Sequence, residues 1–477
     1  MESNTVVAIS FIVYSLFIIG IGLYTTRLQK KTGDDFVLAN RELGPWASAL
    51  SASASAESGW VMLGLVGSAF TSGISAMWIA PGIGIGYLFN WFVLAEKLRL
   101  ETAQSGAVTL PQFILHKLDV NSKALRLISV TIITLSMLGY IAAQMNAAGK
   151  AFEATFSLDY TWGVLTGAII ILAYTVTGGF RAICWTDIVQ ASFMVVALIG
   201  MPIIMLIHHG GYEAISSQLS LTNPELLTLS GGNVGFALFG MIIGSLGIGL
   251  GYPGQPHVLS RFMAAKDKAT VKKGGIIAFV WFVLVYVGAI YFGLFARLHF
   301  GTLADPEQAL PLACNDLLPA VLAGFVIAAI VSAICSTADS QLIVVSSTIS
   351  RDLIPFFKKK KDSDFSKTLR LDRIVLVILA LVSVIFALTE NRVIFEFVLY
   401  AWSALGASFG PLIILMLLWK KTTKQGAIAG MVTGALVTVI WKNIDSLKSL
   451  VYELVPAFIL AFIAVWLVSL ITYKKNK

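Results

Sequence analysis

The sequence predicts an all-α protein that crosses a membrane many times, and three observations carry that expectation. Of its 477 residues, 57% are hydrophobic and 13% charged, against about a quarter charged in an ordinary soluble chain. Apolar runs of roughly 18 residues or more, enough to cross a hydrocarbon core about 30 Å thick as helix, recur from the first ten residues to the last. None of the runs alternates between apolar and polar as the strand of a membrane barrel must.

The runs resolve into about 13 transmembrane helices, at 4–26, 44–66, 70–95, 125–149, 160–179, 186–206, 233–255, 274–296, 318–347, 371–389, 394–417, 423–441 and 451–472. The first holds an apolar stretch from Val6 to Tyr24, longer than a signal-peptide core and with no basic residue before it, so it is expected to remain as a span. Segments between spans are at most about thirty residues long, which leaves no room for a soluble catalytic domain. No GxxxxGK[ST] phosphate loop is present, so transport driven by ATP is unsupported. The expected organisation is one membrane domain over 1–477. It has a first helix at 4–26, two five-span units at 44–206 and 233–417, and two closing helices at 423–472. Cys184, Cys314 and Cys335 lie far apart without CxxC spacing, so neither a disulfide framework nor a cysteine zinc site is indicated.

The net charge of +8 could suggest nucleic acid, but its distribution argues otherwise. With the N-terminus outside and the C-terminus cytoplasmic, 29 of the 34 Lys and Arg residues fall on the cytoplasmic side. Lys150, Arg297, Arg392, Lys442 and Lys448 are left outside. That asymmetry follows the positive-inside rule, and the run FFKKKK from Phe356 reads as an anchor on anionic lipid. The expected partners are therefore membrane lipid and a small-molecule substrate, with no nucleic acid and no obligatory protein.

Two spans are interrupted by small or helix-breaking residues: the second, by SASASAESGW from Ser51, and the seventh, by GSLGIGLGYPGQPH from Gly244. Pro253 and Pro256 lack a backbone donor and disfavour helix in the residue before. Broken helices at matching places in two five-span units point to an inverted-repeat secondary transporter with its binding site at the breaks. For the glycines, close helix packing is the alternative use.

Glu57, Asp187 and Asp339 are acidic residues within or at the edge of the spans. A carboxylate at mid-membrane costs roughly 2.5 to 3.5 kcal/mol on insertion scales, and the expected spans hold no deep Lys or Arg to offset it. The counter-charge is therefore expected to be a cation from outside the chain, a proton, or water. In the ninth span, SAICSTADSQL sets Ser336, Thr337, Asp339 and Ser340 within five positions. Hydroxyls, carboxylates and freed carbonyls are hard oxygen ligands suited to a small cation. Asp187, in CWTDIVQA, serves either such a cation or the start of the sixth helix. Tyr140, Gln144 and Asn146 in the fourth span, and Trp60, Tyr252 and Gln255 near the breaks, are candidate solute contacts. His257 is expected to cap the segment after the second break. No Ser-His-Asp or metal-helix spacing favours an enzyme.

The stretches ANRELGPWASALSASASAESGW, SGISAMWIA, GAVTLPQF, TGGFRAICWTDIVQA, GLGYPGQPHVLSRFMAA, STADSQLIVVSSTISRDL and YAWSALGASFGP make the chain resemble the sodium/solute symporter family along nearly its whole length, its proline-carrying members most of all. The resemblance implies the LeuT-like arrangement of inverted five-helix repeats in a bacterial inner-membrane protein. It also implies coupling of inward sodium flow to uptake of a small solute, L-proline first. It places a principal cation site on the backbone of Ala54 and Glu57, the Ala333 carbonyl, and the Ser336 and Thr337 hydroxyls. A second site of some relatives falls on Asp187, Ser336, Asp339 and Ser340. Solute contacts are expected from Ser55, Ala56, Ser58, Trp60, Tyr140, Gln144, Ile248, Tyr252, Gln255 and Pro256. Proline carriers place an essential aspartate where this chain has Ala56 and a tryptophan where it has Ile248. Glu57, one position along, is the residue through which H+ would replace Na+ as coupling ion. A transporter-like sensor is disfavoured, because such relatives carry a long signalling extension and this sequence closes on YKKNK.

Overall fold

The computed structural model describes residues 2–27, 33–357, 365–389 and 393–473. Over these it is helical, the one β feature being an isolated parallel bridge between Leu43 and Ala265. The basic run Lys358–Lys361 and the last four residues lie outside the described part. Eleven stretches among the described residues are long and apolar enough to cross a membrane. Their outward faces carry large apolar side chains, such as Val13 and Leu16 early in the chain and Ile203 and Ile207 later. In lipid that is the favoured arrangement, since the surrounding hydrocarbon accepts apolar surface and the interior is left for polar groups.

The main helices are α1 (Glu2–Thr26), α2 (Pro45–Ala56), α3 (Val66–Ser72), α4 (Ile79–Phe89), α5 (Ala95–Ser105), α6 (Lys123–Phe156), α7 (Tyr160–His208), α8 (Gly235–Gly247), α9 (Pro256–Ala264), α10 (Lys268–Phe300), α11 (Ala320–Thr348), α12 (Phe365–Thr389), α13 (Ile394–Leu418), α14 (Lys424–Asn443) and α15 (Leu454–Thr472). α2 and α3 are the halves of the broken second span, joined through a wide helical turn at Trp60–Leu65. α8 and α9 are the halves of the seventh, joined through the tight turn Ile248–Gly254 and the extended residue Gln255. α11 lies against α1, α2, α6 and α7, and α13 lies against the Ile248–Gly254 turn, α6, α14 and α15.

Three span limits differ from the sequence expectation, each for a local reason. The fifth and sixth spans run together as α7, and the chain reverses at one residue, Gly179, with φ 59° and ψ −174°. Only glycine takes that conformation cheaply, so the sixth span starts right after it and Asp187 lies two turns inside rather than at a helix start. The third span continues beyond residue 95 through α5 to Ser105. The seventh does not end at 255: after the break it continues as α9 to Ala264, and every residue of α9 is buried.

The glycines of the seventh span serve packing and unwinding together. A Cβ on Gly249 would stand 1.9 Å from the Gly82 carbonyl oxygen, and one on Gly251 would stand 1.9 Å from Trp402 Nε1. Close approach of the turn to α4 and α13 is therefore possible only without side chains there.

At one end of the bundle Arg41 clamps three segments, donating to the carbonyls of Met263 at 2.9 Å, Thr102 at 3.0 Å and Ala107 at 2.7 Å. At the opposite end a cavity of about 670 Å³ runs between α3, α8 and α13 to Ile248 and Phe395, with Lys448 and Glu453 on its wall.

Replacing Gly249 with Ala should lower stability by about 1–3 kcal/mol through overpacking, read as a drop in the thermal midpoint of the purified protein. Gly20→Ala, where an added Cβ meets nothing within 4 Å, should leave the midpoint unchanged.

Candidate cation and solute site

Where α2 stops, its last carbonyls lose their helical partners and must be answered by other groups. Those groups come from α11. Ser336 Oγ donates to the Ala54 carbonyl at 3.0 Å and lies 3.1 Å from the Ala333 carbonyl. Thr337 Oγ1 reaches the carbonyls of Ala54 at 3.2 Å and Ser55 at 3.0 Å. Two hydroxyls and two carbonyls from the expected principal site thus converge, all in fully buried residues. Hydroxyls can rotate their hydrogens away and offer lone pairs, so the set fits a small hard cation.

Ser55, expected beside the solute, belongs to this hydroxyl layer as well. Its Oγ donates to the Ser336 carbonyl at 3.2 Å and pairs with Ser340 Oγ at 2.9 Å. Glu57 ends α2 with φ −101° and ψ 54°, its N–H donating to the Ser53 carbonyl at 2.9 Å. Its carboxylate turns away from α11 into a cage of tyrosines, accepting from Tyr87 at 3.1 Å and from Tyr252 and Tyr286. Three donors on one buried carboxylate supply the hydrogen bonds that a charge removed from water needs.

The second group of ligands holds a correction. Arg261, on the buried continuation α9, is fully buried and reaches into it. Its Nη2 stands 3.3 Å from Asp187 Oδ2 and also donates to Ser340 Oγ. Its Nε donates to Ser51 Oγ at 2.9 Å, and Ser51 in turn donates to Asp187 at 2.6 Å. Nη1 donates to the His257 carbonyl at 2.8 Å, and the guanidinium carbon sits 4.8 Å from the centre of the Phe180 ring. Asp339 joins the same network through Ser340 at 3.1 Å. The expectation that no basic residue pairs with these carboxylates therefore fails, because the seventh span continues one helix beyond its expected end. The signal was present in PHVLSRFMAA, an apolar stretch following the break with a single arginine in it.

Around the other face of the breaks stand the expected solute contacts. Gln144 bridges the second span, accepting from the Gly59 N–H at 3.1 Å and donating to Ser58 Oγ at 3.2 Å. Ser58 also accepts from the Trp60 N–H at 3.3 Å, and the Trp60 indole reaches back to the Ala56 carbonyl at 3.4 Å. Trp60 packs on Tyr286 and on Phe395, a residue that lines the cavity. Pro256 opens α9, and the Gln255 amide donates to the carbonyls of Gly251 at 3.2 Å and Trp402 at 3.1 Å. The Ile248 carbonyl accepts from Trp402 Nε1 at 3.0 Å, and the Trp402 ring lies 4.8 Å from that of Tyr252. Asn146 lies apart from this group, taking the Tyr160 hydroxyl.

His257 does not cap α9, since no side chain bonds there. Its ring lies edge-on to Tyr140, 5.9 Å between centroids. Both its nitrogens, the Tyr140 hydroxyl and Gln255 Oε1 are buried without a hydrogen-bond partner among the described residues. Unpaired buried polar atoms are costly, and these border the breaks, where a polar solute would satisfy them. Sequence reasoning missed Arg261, which follows the second break on α9, and Tyr87, Tyr286 and Trp402, which come from helices distant in the chain from the break residues they meet.

Comparison with known proteins places this geometry. The sequence model of the Sodium:solute symporter family matches residues 36–434. The osmoregulated proline transporter OpuE of Bacillus subtilis is 36% identical over 99% of this chain and 96% of its own. The sodium/proline symporter of Escherichia coli is 37% identical over 99% and 94%. Among solved structures, the substrate-bound outward-open state of a Na+-coupled sialic acid symporter superposes with a TM-score of 0.82 at 16% identity, covering 99% of both chains. MhsT in complex with L-phenylalanine gives 0.53 at 14% over 91% of this chain and 99% of its own. The fold is thus the LeuT-like one, and the chain belongs to the sodium:solute symporter family, multi-pass membrane proteins that use Na+ as coupling ion for a small-molecule substrate and are not enzymes.

Proposed function

We propose that the protein couples inward sodium flow to uptake of L-proline or a closely related amino acid across a bacterial inner membrane, with the N-terminus outside and the C-terminus cytoplasmic. The observation that carries this reading is the contact of Ser336 and Thr337 with the freed carbonyls of Ala54 and Ser55. A sodium ion there, with the Ala333 carbonyl and the Glu57 backbone completing its shell, joins the broken second span to α11. It favours the state open to the outside by its differential affinity alone. The cavity ending at Ile248 and Phe395 is then the outer entrance, and the Arg41 clamp closes the cytoplasmic end. Proline, a zwitterion, binds between the breaks against Ser58, Trp60, Tyr140, Gln144, Tyr252 and Gln255. The repeats run over 44–206 and 233–417 and rock about this site, with 4–26 and 423–472 flanking them. Membrane lipid surrounds the bundle, and the basic excess serves lipid rather than nucleic acid.

Proton coupling through Glu57 is not favoured, because its carboxylate serves the tyrosine cage and faces away from the cation layer. Arg261 supports a single sodium ion per solute, since its guanidinium already supplies a positive charge beside Asp187 and Ser340, where a second ion would bind.

In proteoliposomes, labelled proline should accumulate with sodium outside and not with choline; uptake indifferent to that exchange overturns the reading. Ser336→Ala and Thr337→Ala should each raise the sodium concentration for half-maximal uptake about tenfold, the effect of losing one ligand worth about 1.4 kcal/mol. Parallel uptake of labelled sodium and proline should give a ratio of one, and a ratio of two would count against the role given to Arg261. Arg261→Met alone should cost about 3–5 kcal/mol by stranding the Asp187 charge. The double variant Arg261→Met/Asp187→Leu should recover most of that, as read by thermal unfolding.

A further inference from the structure

Three of the chain's five histidines meet at one end of the bundle, away from the transport site. His208 ends α7, His209 follows it, and His299 is the last residue but one of α10. Their ring centroids are 5.0, 5.4 and 5.6 Å apart, and one ring nitrogen from each lies within 4.8 Å of the others. His299 Nδ1 is 3.3 Å from His209 Nε2. Two nitrogens bound to one tetrahedral zinc at about 2.0–2.1 Å stand roughly 3.4 Å apart, so this pair already has the required spacing and a rotation of the exposed His208 ring closes the third. The remaining nitrogen of His299 faces Asp316 Oδ2 at 3.7 Å, the position of the carboxylate that orients a metal-bound imidazole. Gly210 and Gly211, with φ of 82° and 99°, turn the chain back immediately after the pair and hold it at the solvent rim.

We propose that His208, His209 and His299 form a binding site for a zinc-class transition-metal ion, with Asp316 as the acceptor that fixes the His299 ring and water as fourth ligand. All-imidazole donors select Zn2+, Cu2+ or Ni2+ over alkaline-earth cations. A bound ion joins the ends of α7 and α10, helices separated in sequence by the whole of the second break. The ninety residues between His209 and His299 hide the site from any spacing pattern.

The test is calorimetric titration of chelator-treated, purified full-length protein with Zn2+, together with the visible spectrum of its Co2+ complex. One equivalent is expected to bind, with a spectrum of tetrahedral type and a raised thermal midpoint. His208→Gln, at an exposed position that leaves packing intact, should weaken binding at least tenfold, and the triple variant His208→Ala/His209→Ala/His299→Ala should abolish it. Asp316→Asn should weaken it about 10–100-fold. Binding by the triple variant equal to that of the parent, or no binding by the parent, overturns the proposal, whereas His116→Ala should change nothing.

Discussion

Much of this molecule follows from the need to satisfy the backbone that the two broken helices set free. In hydrocarbon, an unpaired carbonyl costs several kcal/mol, so a span can stop at mid-depth only if a neighbour supplies donors. For α2 the donors are Ser336 and Thr337 of α11, and the Gly59 N–H beyond the stop goes to Gln144 of α6. For α8 and α9 the side chains of Trp402, Gln255 and Asn90 do the same work, Asn90 donating to the Tyr252 carbonyl at 3.0 Å. The helices that surround the breaks are therefore fixed by what the breaks lack.

Buried charge is handled by two different means. Glu57 is surrounded by neutral donors, three tyrosine hydroxyls from three separate elements, which satisfy its buried oxygens without an ion pair. Asp187 and Asp339 would repel one another in one network, and there a guanidinium intervenes. Arginine suits that place better than lysine, since its planar fork donates in fixed directions to Ser51, Asp187, Ser340 and the His257 carbonyl at once. A third pairing, Lys150 with Asp305 at 2.8 Å and with Glu307, lies beside the N-terminus of α13, where Glu307 also accepts from the Ile394 and Phe395 amides at 3.0 and 2.8 Å. This pairing ties α6 to the rim of the cavity, although Lys150 in sequence reads only as an outside charge.

The layer proposed for the cation and the side proposed for the solute meet along one short segment. Within Ala54 to Trp60, the first residues face α11, the carboxylate of Glu57 faces α4 and α10, Ser58 faces Gln144 and Trp60 faces Phe395. A change in the register of that segment alters the contacts to α11, the tyrosine cage and the Gln144 bridge together. The Glu57 carboxylate lies among tyrosines rather than in the hydroxyl layer of α11.

The sequence by itself determined the class of the molecule, the two broken spans and the hydroxyl run of α11. Hydrophobic length, Gly and Pro placement, and oxygen-bearing residues within a few positions are local properties that a chain displays without folding. The resemblance also named Ala54, Ser336 and Thr337, which the fold brings into contact. Tertiary structure alone decided the partners. That Arg261 would fold back under the break and meet Asp187, that Tyr87, Tyr252 and Tyr286 would close on Glu57, and that His299 would reach His209 all depend on helix packing. Distance in space between residues tens to hundreds of positions apart is set by the close fit of small residues such as Gly82 against Gly249, and hydropathy carries no record of that fit.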